Sequence, residues 1–521
     1  MPILSLEAHG VGEVHPPFET LVDMFDHAVQ TAPDVIALWE GGQTVTYKQL
    51  DGAVKGLAAD LVAAGASGNT VGLLLPNGIV FSLGYFAILY AGGLPTLLNP
   101  AYPPAQLEPI LRDAAPELVI CTAQTGETLE ALSKSGLTMT QVVLSGSAKE
   151  IEDFSARAAA PSELPNIGTN SPAALLYTGG TTGISKGVEH THGMLTDAVR
   201  AIEWIWPART SGEVCLPIAP MFHIYGFLTG ALNPVYNCGT VIIPGVFKPD
   251  EIIDLIATHK VTMFGGGPPA IYSALLKQSN FEGADLSALR VCPGGGAPFP
   301  VELINRWRKA TGLTIQEAYG MTEMAPISGN TGTFGNKAGT VGMAIPGCKV
   351  EVADLNDKDK ILAVGEVGEI RFSGPFAMKG YRNRPDETAE TIYDGFIYTG
   401  DIGKIDEDGF ITITDRKKDV VLVNGFNVFP RDVEEVVFTH PSVQNVGVIG
   451  VPDQRSGERV VVFVVSDQGE SLAPALKALC EKDLAPYQNP AEFRFMEELP
   501  ITAANKLDRV TLREIAAETS S

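Results

Sequence analysis

Short apolar runs alternate with helix-like segments through the first third of the chain. Residues 44–63 place apolar side chains at three- and four-residue spacing, which predicts a helix after a short strand. The apolar runs at 71–75 and 118–122 predict two buried strands. Because strands that alternate with helices form βαβ units, we expect a parallel sheet in this region.

Further along the chain, predicted strands run directly into loops, at 173–187, 241–247, 261–269, 290–298 and 314–323. Ligands of open parallel sheets bind at the carboxyl ends of the strands, where such loops begin. Near Gly365 the pattern changes to β-hairpins, with the residues from Asp406 to Gly409 as the turn between two alternating runs. The middle of the chain is therefore predicted to contain a β-rich subdomain.

The C-terminal region has the pattern of a separate unit. We predict a helix from Arg431, strands at 446–451 and 460–465, and a helix from Leu472. A unit of about one hundred residues is large enough for its own core. The predicted fold class is thus α/β. A large N-terminal domain of parallel-sheet αβα layers, which includes the β-rich subdomain, would meet a small α+β C-terminal domain near residues 415–418.

Two stretches, 71–107 and 214–247, contain no Asp, Glu, Lys or Arg and exceed the length of a membrane span. Glycine, proline and asparagine interrupt both, as in the buried elements of a large parallel-sheet core. We therefore predict core structure and no integral membrane segment, with a membrane span as the alternative. The first lysine or arginine is Lys48, so we expect no charged signal or transit peptide.

Composition narrows the functional classes. The 521 residues carry a formal net charge of −24, which repels nucleic acid and anionic membranes, so we expect no nucleic-acid partner. A phosphate ligand would need local donors and Mg²⁺ to be held by such a chain. The six cysteines are scattered without metal-ligand spacing, which argues against zinc and disulfides and favours a cytoplasmic location.

The strongest local signal is the segment LLYTGGTTGISKG at 175–187, in which four glycines, three threonines and a lysine follow an apolar run. Glycines let backbone N–H groups approach an anion, threonine hydroxyls add donors or a metal ligand, and Lys186 adds positive charge. The segment predicts a phosphate-binding loop, although the Gly-Lys-Ser/Thr of the Walker pattern is absent. A surface loop without a ligand is the alternative.

Other signals are weak one at a time. In YGMTE, Tyr319 offers a flat face to a base and Glu323 a hard oxygen ligand to Mg²⁺, but the segment also suits an ordinary loop. Asp401 in YTGD suits the two ribose hydroxyls, and equally the capping of a turn. Taken alone, DRKKD at 415–419 also suits a solvated cluster of charges, and Lys506 also suits an ordinary surface lysine.

Together and in this order, these segments resemble the adenylate-forming superfamily of acyl-CoA synthetases, adenylation domains and luciferases. PMFHIYG at 220–226 and GGGAP at 294–298 add to the resemblance, which extends over essentially the whole chain. TGGTTG, DRKKDVVLVNGFNVFP at 415–430 and the HPSVQNVGVIGVPD that follows are most similar to long-chain fatty-acid–CoA ligases. PMFHIYG is also similar to 4-coumarate–CoA ligases, which keeps aryl acids open.

The resemblance implies an ATP-dependent carboxylate–CoA ligase that works in two steps. A carboxylate attacks the α-phosphate of ATP, pyrophosphate leaves and an acyl-adenylate forms; the thiol of coenzyme A then displaces AMP. The implied cofactors are ATP, Mg²⁺ and coenzyme A. The expected partners are these small molecules and a carboxylic acid, and a homodimer is compatible with them.

The resemblance also implies site residues. Those implied to bind ATP or AMP are Thr178, Gly179, Gly180, Thr181, Thr182, Gly183, Lys186, Gly296, Ala297, Glu317, Ala318, Tyr319, Gly320, Met321, Thr322, Asp401, Arg416 and Lys506. The implied metal ligands are Thr182 and Glu323, and the implied catalytic residues are Lys506, Lys186, Thr182, Glu323 and Lys418.

Lys418 occupies the position of the family's hinge residue, which places the hinge at 415–418 between domains 1–414 and 419–521. The small domain is expected to rotate there between the two steps. Rotation would withdraw Lys506, which bridges carboxylate and α-phosphate, and would bring Val423, Asn424 and Gly425 to the pantetheine of coenzyme A.

The implied acyl pocket comprises His223, Tyr225, Phe264, Gly294, Gly295, Met324 and Ala325. Its small residues predict a deep apolar slot, and therefore a medium- or long-chain fatty acid. Because an apolar slot discriminates by only about 1–3 kcal/mol per methylene, chain length is left open. A core histidine is the alternative for His223.

Three positions depart from the family pattern: Gly179, Ser185 and Asn505, the last in place of a glycine. Asparagine tolerates positive φ better than other non-glycine residues, so the loop before Lys506 is expected to form. Two competing hypotheses are a CoA-independent acyl-AMP ligase that loads a carrier protein and a non-catalytic nucleotide-binding scaffold. By the resemblance, enzymes of the first kind typically carry an insertion that blocks domain rotation, and the sequence shows none between 330 and 365. The presence of Lys506, Glu323 and Thr182 argues against the second.

Overall fold

The computed structural model describes residues 18–157, 167–178, 185–209, 212–332, 335–453, 455–501 and 507–518. Within these ranges the strands are β1 (Ile36–Glu40), β2 (Gln43–Thr46), β3 (Thr70–Leu74), β4 (Leu94–Leu97), β5 (Leu118–Cys121), β6 (Thr140–Val143), β7 (Pro172–Tyr177), β8 (Gly187–Thr191), β9 (Val214–Pro217), β10 (Thr240–Ile243), β11 (Met263–Gly265), β12 (Cys292–Gly294), β13 (Ile315–Met321), β14 (Met324–Gly329), β15 (Met343–Ala344), β16 (Lys349–Ala353), β17 (Gly368–Ser373), β18 (Ile392–Tyr393), β19 (Phe396–Ile405), β20 (Ile411–Arg416), β21 (Val421–Val423), β22 (Phe426–Val428), β23 (Asn445–Asp453), β24 (Gly457–Val465) and β25 (Glu492–Phe495).

The α-helices of the same ranges are α1 (Leu21–Thr31), α2 (Tyr47–Ala63), α3 (Ile79–Tyr90), α4 (Pro104–Ala114), α5 (Ala123–Ser133), α6 (Ala148–Arg157), α7 (His192–Ile205), α8 (Ile224–Gly226), α9 (Asn233–Tyr236), α10 (Pro249–Thr258), α11 (Pro269–Leu276), α12 (Val301–Thr311), α13 (Pro385–Thr391), α14 (Pro430–Phe438), α15 (Ala473–Asp483) and α16 (Arg509–Glu518). A π-helical turn, Phe227–Leu232, joins α8 to α9, and two 3₁₀ turns occur at Gly469–Leu472 and Pro486–Gln488.

Two mostly parallel sheets form the centre of the N-terminal region. The first has the order β6-β5-β3-β4-β7-β8 and is parallel except at β7/β8. The second has the order β11-β9-β10-β1-β2 and is parallel except at β1/β2. Helix α3 is buried along its whole length, because its sequence is apolar on every face. The predicted α/β class with parallel-sheet layers is confirmed.

The helix predicted over 44–63 begins later than the pattern indicated. Strand β2 extends to Thr46, whose side chain accepts a hydrogen bond from the backbone N–H of Gln49. The Gln49 side chain in turn accepts from the N–H of Thr46 over 2.9 Å. This reciprocal pair is a capping box, which fixes the start of α2 at Tyr47.

Both charge-free stretches divide into short elements of the core. The first contains β3, α3 and β4, and the second contains β9, the three short helical segments and β10. Helix α3 has 12 residues, too few to cross a bilayer. In the part of the chain that the structure describes, no helix is both long and apolar enough for a membrane crossing.

The predicted strand-then-loop units all contain a strand, but these strands belong to different sheets. Strand β7 lies in the first sheet, and β10 and β11 lie in the second. Strands β12 and β13 pair in parallel in a third sheet of order β12-β13-β14-β15. Isolated bridges at Met263/Val291 and Gly267/Gly294 join β11 and its following loop to β12 and the residue before it. The loops predicted to form the candidate site therefore follow strands of three different sheets.

The β-rich subdomain predicted from near Gly365 is an antiparallel sheet of order β16-β17-β19-β18, with β20 paired to β19, and it begins earlier than predicted, at β16. At the turn between β19 and β20, the carboxylate of Asp406 accepts from the backbone N–H groups of Asp408 and Phe410. Gly409 supplies the positive φ of +87° that this turn requires.

The C-terminal region forms its own sheet, with the order β22-β21-β24-β23 and β25 alongside β24. The predicted helices correspond to α14 and α15, and the predicted strands to β23 and β24. Two apolar clusters, one around Val448 and Val462 and the other around Ile449 and Phe463, contain only residues beyond Asp419. The C-terminal region therefore has its own core, and the domain boundary near 415–418 stays a prediction.

Candidate active site

The predicted phosphate loop is the connection of a β-hairpin. Strands β7 and β8 are antiparallel, with Tyr177 opposite Gly187. Just beyond this pair, the N–H of Thr178 donates to the carbonyl oxygen of Lys186 over 3.0 Å, and the N–H of Lys186 donates to Oγ1 of Thr178. Residues 178 and 186 therefore form the neck of the loop. The tip, with Gly179, Gly180, Thr181, Thr182 and Gly183, lies outside the described residues.

The YGMTE segment is largely part of a hairpin. Tyr319, Gly320 and Met321 belong to β13, and Met321 pairs with Met324 of β14. Thr322 and Glu323 form the tight turn between the strands, and both are buried. The Glu323 carbonyl accepts from the N–H of Met378 over 2.8 Å. The hairpin thus presents a buried carboxylate at its tip.

Two residues that sequence reasoning missed hold this turn. The ring of His190, on β8, donates through Nε2 to the carbonyl oxygen of Thr322 over 2.9 Å. Burial lowers the pKa of His190 to about 4, so the ring is neutral near pH 7. Tyr381 donates its hydroxyl to Oε1 of Glu323 over 2.5 Å. Neither residue lies in a segment whose sequence suggested chemistry.

Glu323 lies beside cationic groups. Burial raises the pKa of its carboxyl group, while the hydrogen bond from Tyr381 and the charges of Lys186 and Arg416 act in the opposite direction. The Lys186 ammonium lies 4.5 Å from the centre of the Tyr381 ring. The neck of the phosphate loop and the tip of the β13/β14 hairpin therefore meet at Tyr381.

The residues assigned to ribose form a connected group. Asp401 on β19 pairs with Arg416 on β20, and Oδ1 of Asp401 lies 3.2 Å from Nε of Arg416. The hydroxyl of Tyr319 donates to Oδ2 of Asp401 over 2.5 Å. Burial, together with the adjacent Asp401, holds the pKa of Tyr319 well above its ordinary value, so the hydroxyl remains a donor. The aspartate is buried and fixed through both oxygens.

The glycine-rich segment lies next to β13, with Gly294 opposite Glu317. Gly296 has a φ of +81° and is exposed, and Ala297 is half-buried. Glu317 is buried, and its Oε2 accepts from the N–H of Phe299 over 3.2 Å. Burial raises the pKa of Glu317 to about 8. Its side chain therefore supports the loop from behind, next to the half-buried Ala318.

The residues assigned to the acyl pocket divide into two groups. Tyr225 and Gly295 lie at the loop, because a Cβ on Gly295 would be 3.3 Å from the Tyr225 ring and 3.0 Å from the carbonyl oxygen of Ala318. His223 precedes α8 and donates its backbone N–H to the carbonyl oxygen of Pro220. Tyr225 directs its hydroxyl towards the carbonyl oxygen of Pro293 at 3.4 Å.

The remaining members lie deeper. The Phe264 ring is fully buried 5.5 Å from Tyr272, and a Cβ on Gly294 would lie 2.7 Å from Ile315. Met324 is fully buried and Ala325 is half-buried. The structure therefore places Phe264 and Gly294 in the packed core, whereas Tyr225 and Gly295 lie at the loop.

The predicted hinge is bonded to both parts of the chain. Asp415 accepts through Oδ2 from the N–H of Arg431, near the start of α14, over 3.0 Å. Lys417 Nζ lies 2.9 Å from Oε2 of Glu369 on β17. Partial burial and the adjacent Arg416 lower the pKa of Lys418. The segment is thus fixed at its first residue to the C-terminal region and at its third to the β-rich sheet.

Val423, Asn424 and Gly425 form the turn of the β21/β22 hairpin. Asn424 and Gly425 have φ values of +53° and +82°, as in the tight hairpin turns that favour Asn-Gly. Both are exposed, so this arrangement does not bury them against the N-terminal region. Lys506, the implied catalytic lysine, lies outside the described residues.

The site fits a magnesium ion bound together with a nucleotide. Within the described ranges, no three His, Cys, Asp or Glu side chains form a metal cage. Mg²⁺ does not need one, because one or two carboxylates and the phosphate oxygens of a nucleotide usually hold it. Glu323, a buried carboxylate beside the neck of the phosphate loop, has the chemistry of such a ligand.

Known proteins resemble this chain in sequence and in fold. The AMP-binding enzyme family model matches residues 25–382, and that of the AMP-binding enzyme C-terminal domain matches 432–506. The chain is 34% identical to a long-chain-fatty-acid–CoA ligase of Bacillus subtilis (strain 168), over 96% of this chain and 95% of the relative. It is also 34% identical to a feruloyl-CoA synthase of Amycolatopsis sp, over 91% and 95%. ATP-bound MatB from Rhodopseudomonas palustris superposes with a TM-score of 0.87 at 30% identity, over 96% of this chain and 100% of that one.

The fold and the site together define an AMP-forming acid–CoA ligase, which uses ATP and coenzyme A and acts through an acyl-adenylate. The chain belongs to the AMP-binding enzyme family, and the resemblance inferred from its segments is confirmed.

Proposed function

We propose that this chain joins a medium- or long-chain fatty acid to coenzyme A at the site framed by Lys186, Glu323 and Asp401. The observation that carries the proposal is the arrangement of these groups. A lysine for the triphosphate and a buried carboxylate for its cation both contact Tyr381. An aspartate fixed by Tyr319 and Arg416 is the residue assigned to the ribose.

Each residue has a defined task in the first step. Thr178 and Lys186, with the loop between them, would hold the triphosphate, and the cationic charge would reduce its repulsion of the incoming carboxylate. Thr182 and Glu323 would hold Mg²⁺, which when bound neutralises charge on the phosphates. Lys506 would contact both the carboxylate and the α-phosphate. Asp401 would accept from the ribose hydroxyls, with Gly296, Ala297 and Tyr319 around the adenine.

The second step requires different groups, and we propose that the C-terminal domain, residues 419–521, rotates about the 415–418 hinge to supply them. Two observations support this. The hinge is bonded to the β-rich sheet through Lys417 and to α14 through Asp415, and the Val423–Gly425 turn is exposed. A rotation would carry this turn to the pantetheine of coenzyme A, because thioester formation needs different groups at the site from adenylate formation.

The acyl group is assigned from the pocket and from the relatives. A fatty acid is supported by the long-chain-fatty-acid–CoA ligase relative and by the absence of a side chain at Gly295. An aryl acid is the second candidate, because the Tyr225 ring lies beside Gly295 and one of the relatives is a feruloyl-CoA synthase. A carrier-loading acyl-AMP ligase is the third candidate, and pyrophosphate release with and without coenzyme A distinguishes it from the other two.

We also propose a cytoplasmic location. All six cysteines are free, and Cys348 is the one that is not fully buried. Free thiols are typical of proteins of reducing compartments. A homodimer remains a prediction, for which gel filtration is the measurement.

Pyrophosphate release tests the proposed function. The protein would be supplied with ATP, Mg²⁺ and a panel of short, long and aryl acids, with and without coenzyme A. Release that requires a long-chain acid and increases with coenzyme A would support the fatty-acid ligase, and release led by aryl acids would transfer the assignment to them. Release without any response to coenzyme A would favour carrier loading, and no release with any acid would contradict catalysis.

A further inference from the structure

Tyr381 contacts the two charged groups of the phosphate site, although it belongs to neither segment that carries them. It lies in the connection between β17 and α13 and is 8% exposed. Its hydroxyl donates to Oε1 of Glu323 over 2.5 Å, and the Lys186 ammonium lies 4.5 Å from its ring centre. A single side chain thus binds an anion at its edge and a cation at its face.

The backbone around Tyr381 is bonded to both segments as well. Arg382 donates its N–H to the carbonyl oxygen of Gly187 over 2.8 Å, and Tyr381 pairs with Val188 in an isolated bridge. Three residues before Tyr381, the N–H of Met378 donates to the Glu323 carbonyl. The backbone on both sides of Tyr381 is therefore held by hydrogen bonds, which restricts where its side chain can lie.

The placement keeps Lys186 and Glu323 apart. Among the described residues, both groups contact Tyr381, and no ion pair joins the Lys186 ammonium to the Glu323 carboxylate. A direct lysine–glutamate pair would have to separate before a triphosphate and a cation could take up the same groups. The Lys186 ammonium lies over the ring face, where it can contact phosphate, and the Tyr381 hydroxyl orients the Glu323 carboxylate through Oε1.

We propose that Tyr381 is a positioning residue for the metal–nucleotide complex: its hydroxyl orients the Glu323 carboxylate and its ring holds Lys186 beside it. The inference rests on the proposed function insofar as Glu323 is the metal ligand. It adds a residue from a third segment, outside the phosphate loop and YGMTE.

The chain contains a matched control for the same chemistry. Tyr90, on α3, donates its hydroxyl to Asp26, and Lys55 lies 5.8 Å from its ring centre. This second tyrosine, like Tyr381, joins a carboxylate to a lysine in a buried position. It lies in the helical layer, away from the phosphate loop, so Tyr90→Phe removes a comparable hydrogen bond without touching the site.

The test measures metal binding directly. Mn²⁺ would be titrated into the protein with a non-hydrolysable ATP analogue, and free Mn²⁺ would be followed by electron paramagnetic resonance. Tyr381→Phe is expected to weaken Mn²⁺ binding about tenfold, as the loss of one hydrogen bond to a charged group implies. Tyr381→Leu is expected to weaken, in addition, the binding of the analogue without metal, because Lys186 loses the ring. Tyr90→Phe should bind both as the wild type does.

A double-mutant cycle separates positioning from lost stability. In a Glu323→Gln background, Tyr381→Phe should cause no further loss of Mn²⁺ affinity, because its effect acts through that carboxylate. Full Mn²⁺ affinity in Tyr381→Phe, or an equal loss in the Glu323→Gln background, would overturn the inference. Wild-type pyrophosphate release alongside such a result would leave the proposed function intact, whereas a wild type that binds no Mn²⁺ with the analogue would contradict both.

The thermal unfolding midpoint would be measured for each variant, to separate lost stability from lost binding. Tyr381→Phe and Tyr90→Phe should both lower the unfolding midpoint, since each removes one buried hydrogen bond. Only the first should change Mn²⁺ affinity. If Tyr381→Phe does not fold, Tyr381→Trp, which retains a ring for Lys186 and carries a donor, is expected to keep analogue binding, and loss of that binding would overturn the role of the ring.

Discussion

Tyr319 donates its hydroxyl to Oδ2 of Asp401 over 2.5 Å, and this hydrogen bond joins two sheets. Tyr319 belongs to β13, next to the phosphate-site turn, whereas Asp401 belongs to the antiparallel β-rich sheet. Arg416 holds the other oxygen of the aspartate. The carboxylate is thus oriented before any nucleotide binds, which reduces the ordering that binding must impose.

Replacing this tyrosine tests that relationship. Tyr319→Phe keeps the ring but removes the donor, so Asp401 loses one fixed partner. A hydrogen bond to a charged group contributes about 1.5–3 kcal/mol, so we expect the KM for ATP to rise roughly tenfold or more with little change in kcat. The measurement is pyrophosphate release over a range of ATP concentrations.

The control is Tyr393→Phe. Tyr393 also donates to an aspartate, Asp359 at 2.7 Å, but it is exposed on the β-rich sheet away from the nucleotide group. Its removal should leave the KM for ATP unchanged. An unchanged KM in Tyr319→Phe as well would show that the hydrogen bond does not prepare the ribose site.

Sequence reasoning located the segments of the site because their chemistry is local. Glycines, threonines and Lys186 lie within one loop, and Thr322 and Glu323 are neighbours in the chain. The elements around them followed from hydrophobic periodicity, which is also local. The strands were found, but not their division among three sheets, because strand pairing depends on contacts between distant segments.

Tyr381 and His190 were missed for the same reason. Tyr381 is 58 residues from Glu323, and His190 is 132 residues from Thr322. Neither sits in a run of residues whose composition suggests a ligand. Only the three-dimensional arrangement shows that one holds a carboxylate and the other a backbone carbonyl of the same turn.

Replacing Lys506 tests the proposed domain rotation. Lys506→Ala should lower carboxylate-dependent adenylate formation by about 10²–10³, the usual loss of one transition-state donor. Thioester formation from supplied acyl-adenylate should stay within about tenfold of the wild type, because a withdrawn lysine contributes nothing to it. The two half-reactions would be measured separately.

Lys477→Ala is the matched control, since Lys477 is an exposed lysine of α15 in the same region. It should leave both half-reactions unchanged. Equal damage to both steps in Lys506→Ala would argue against the rotation, because the lysine would then act in the second chemistry too.

Gly295 is predicted to set the length of the acyl slot. A Cβ at this position would lie 3.0 Å from the carbonyl oxygen of Ala318 and 3.3 Å from the Tyr225 ring, so a large side chain must occupy the space beside the ring. Gly295→Trp should therefore abolish turnover of long acids while short acids still react. The measurement is the ratio of kcat/KM for a long and a short acid in one protein, which cancels any loss of folded material.

Gly283→Trp is the control, because nothing lies within 4 Å of a Cβ at Gly283. It should leave the ratio at its wild-type value. If Gly295→Trp also leaves the ratio unchanged, this glycine does not line the acyl slot, and the pocket must extend in another direction from Tyr225.

Glu317 makes stability depend on pH. Its Oε2 accepts from the N–H of Phe299, but its buried Oε1 has no hydrogen-bond partner among the described residues. Burial raises its pKa to about 8, with Glu435 acting in the same direction and Arg431, on the C-terminal side, in the opposite one. Near neutral pH, the folded protein therefore keeps a proton on this carboxyl group that the unfolded chain releases.

The sign of the effect follows from this difference. The stabilisation is fully present below the ordinary glutamate pKa and is lost as pH rises through about 8, at up to about 1.4 kcal/mol per pH unit. Glu317→Gln keeps an acceptor for Phe299 and has no charge, so the free energy of unfolding should fall less in the variant than in the wild type between pH 6 and pH 9. Urea midpoints at the two pH values measure this, with Glu282→Gln, at an exposed position, as the control that should follow the wild type. Parallel losses in the wild type and Glu317→Gln would mean that this carboxyl group is already ionised in the folded protein, and that water or Arg431 compensates its burial.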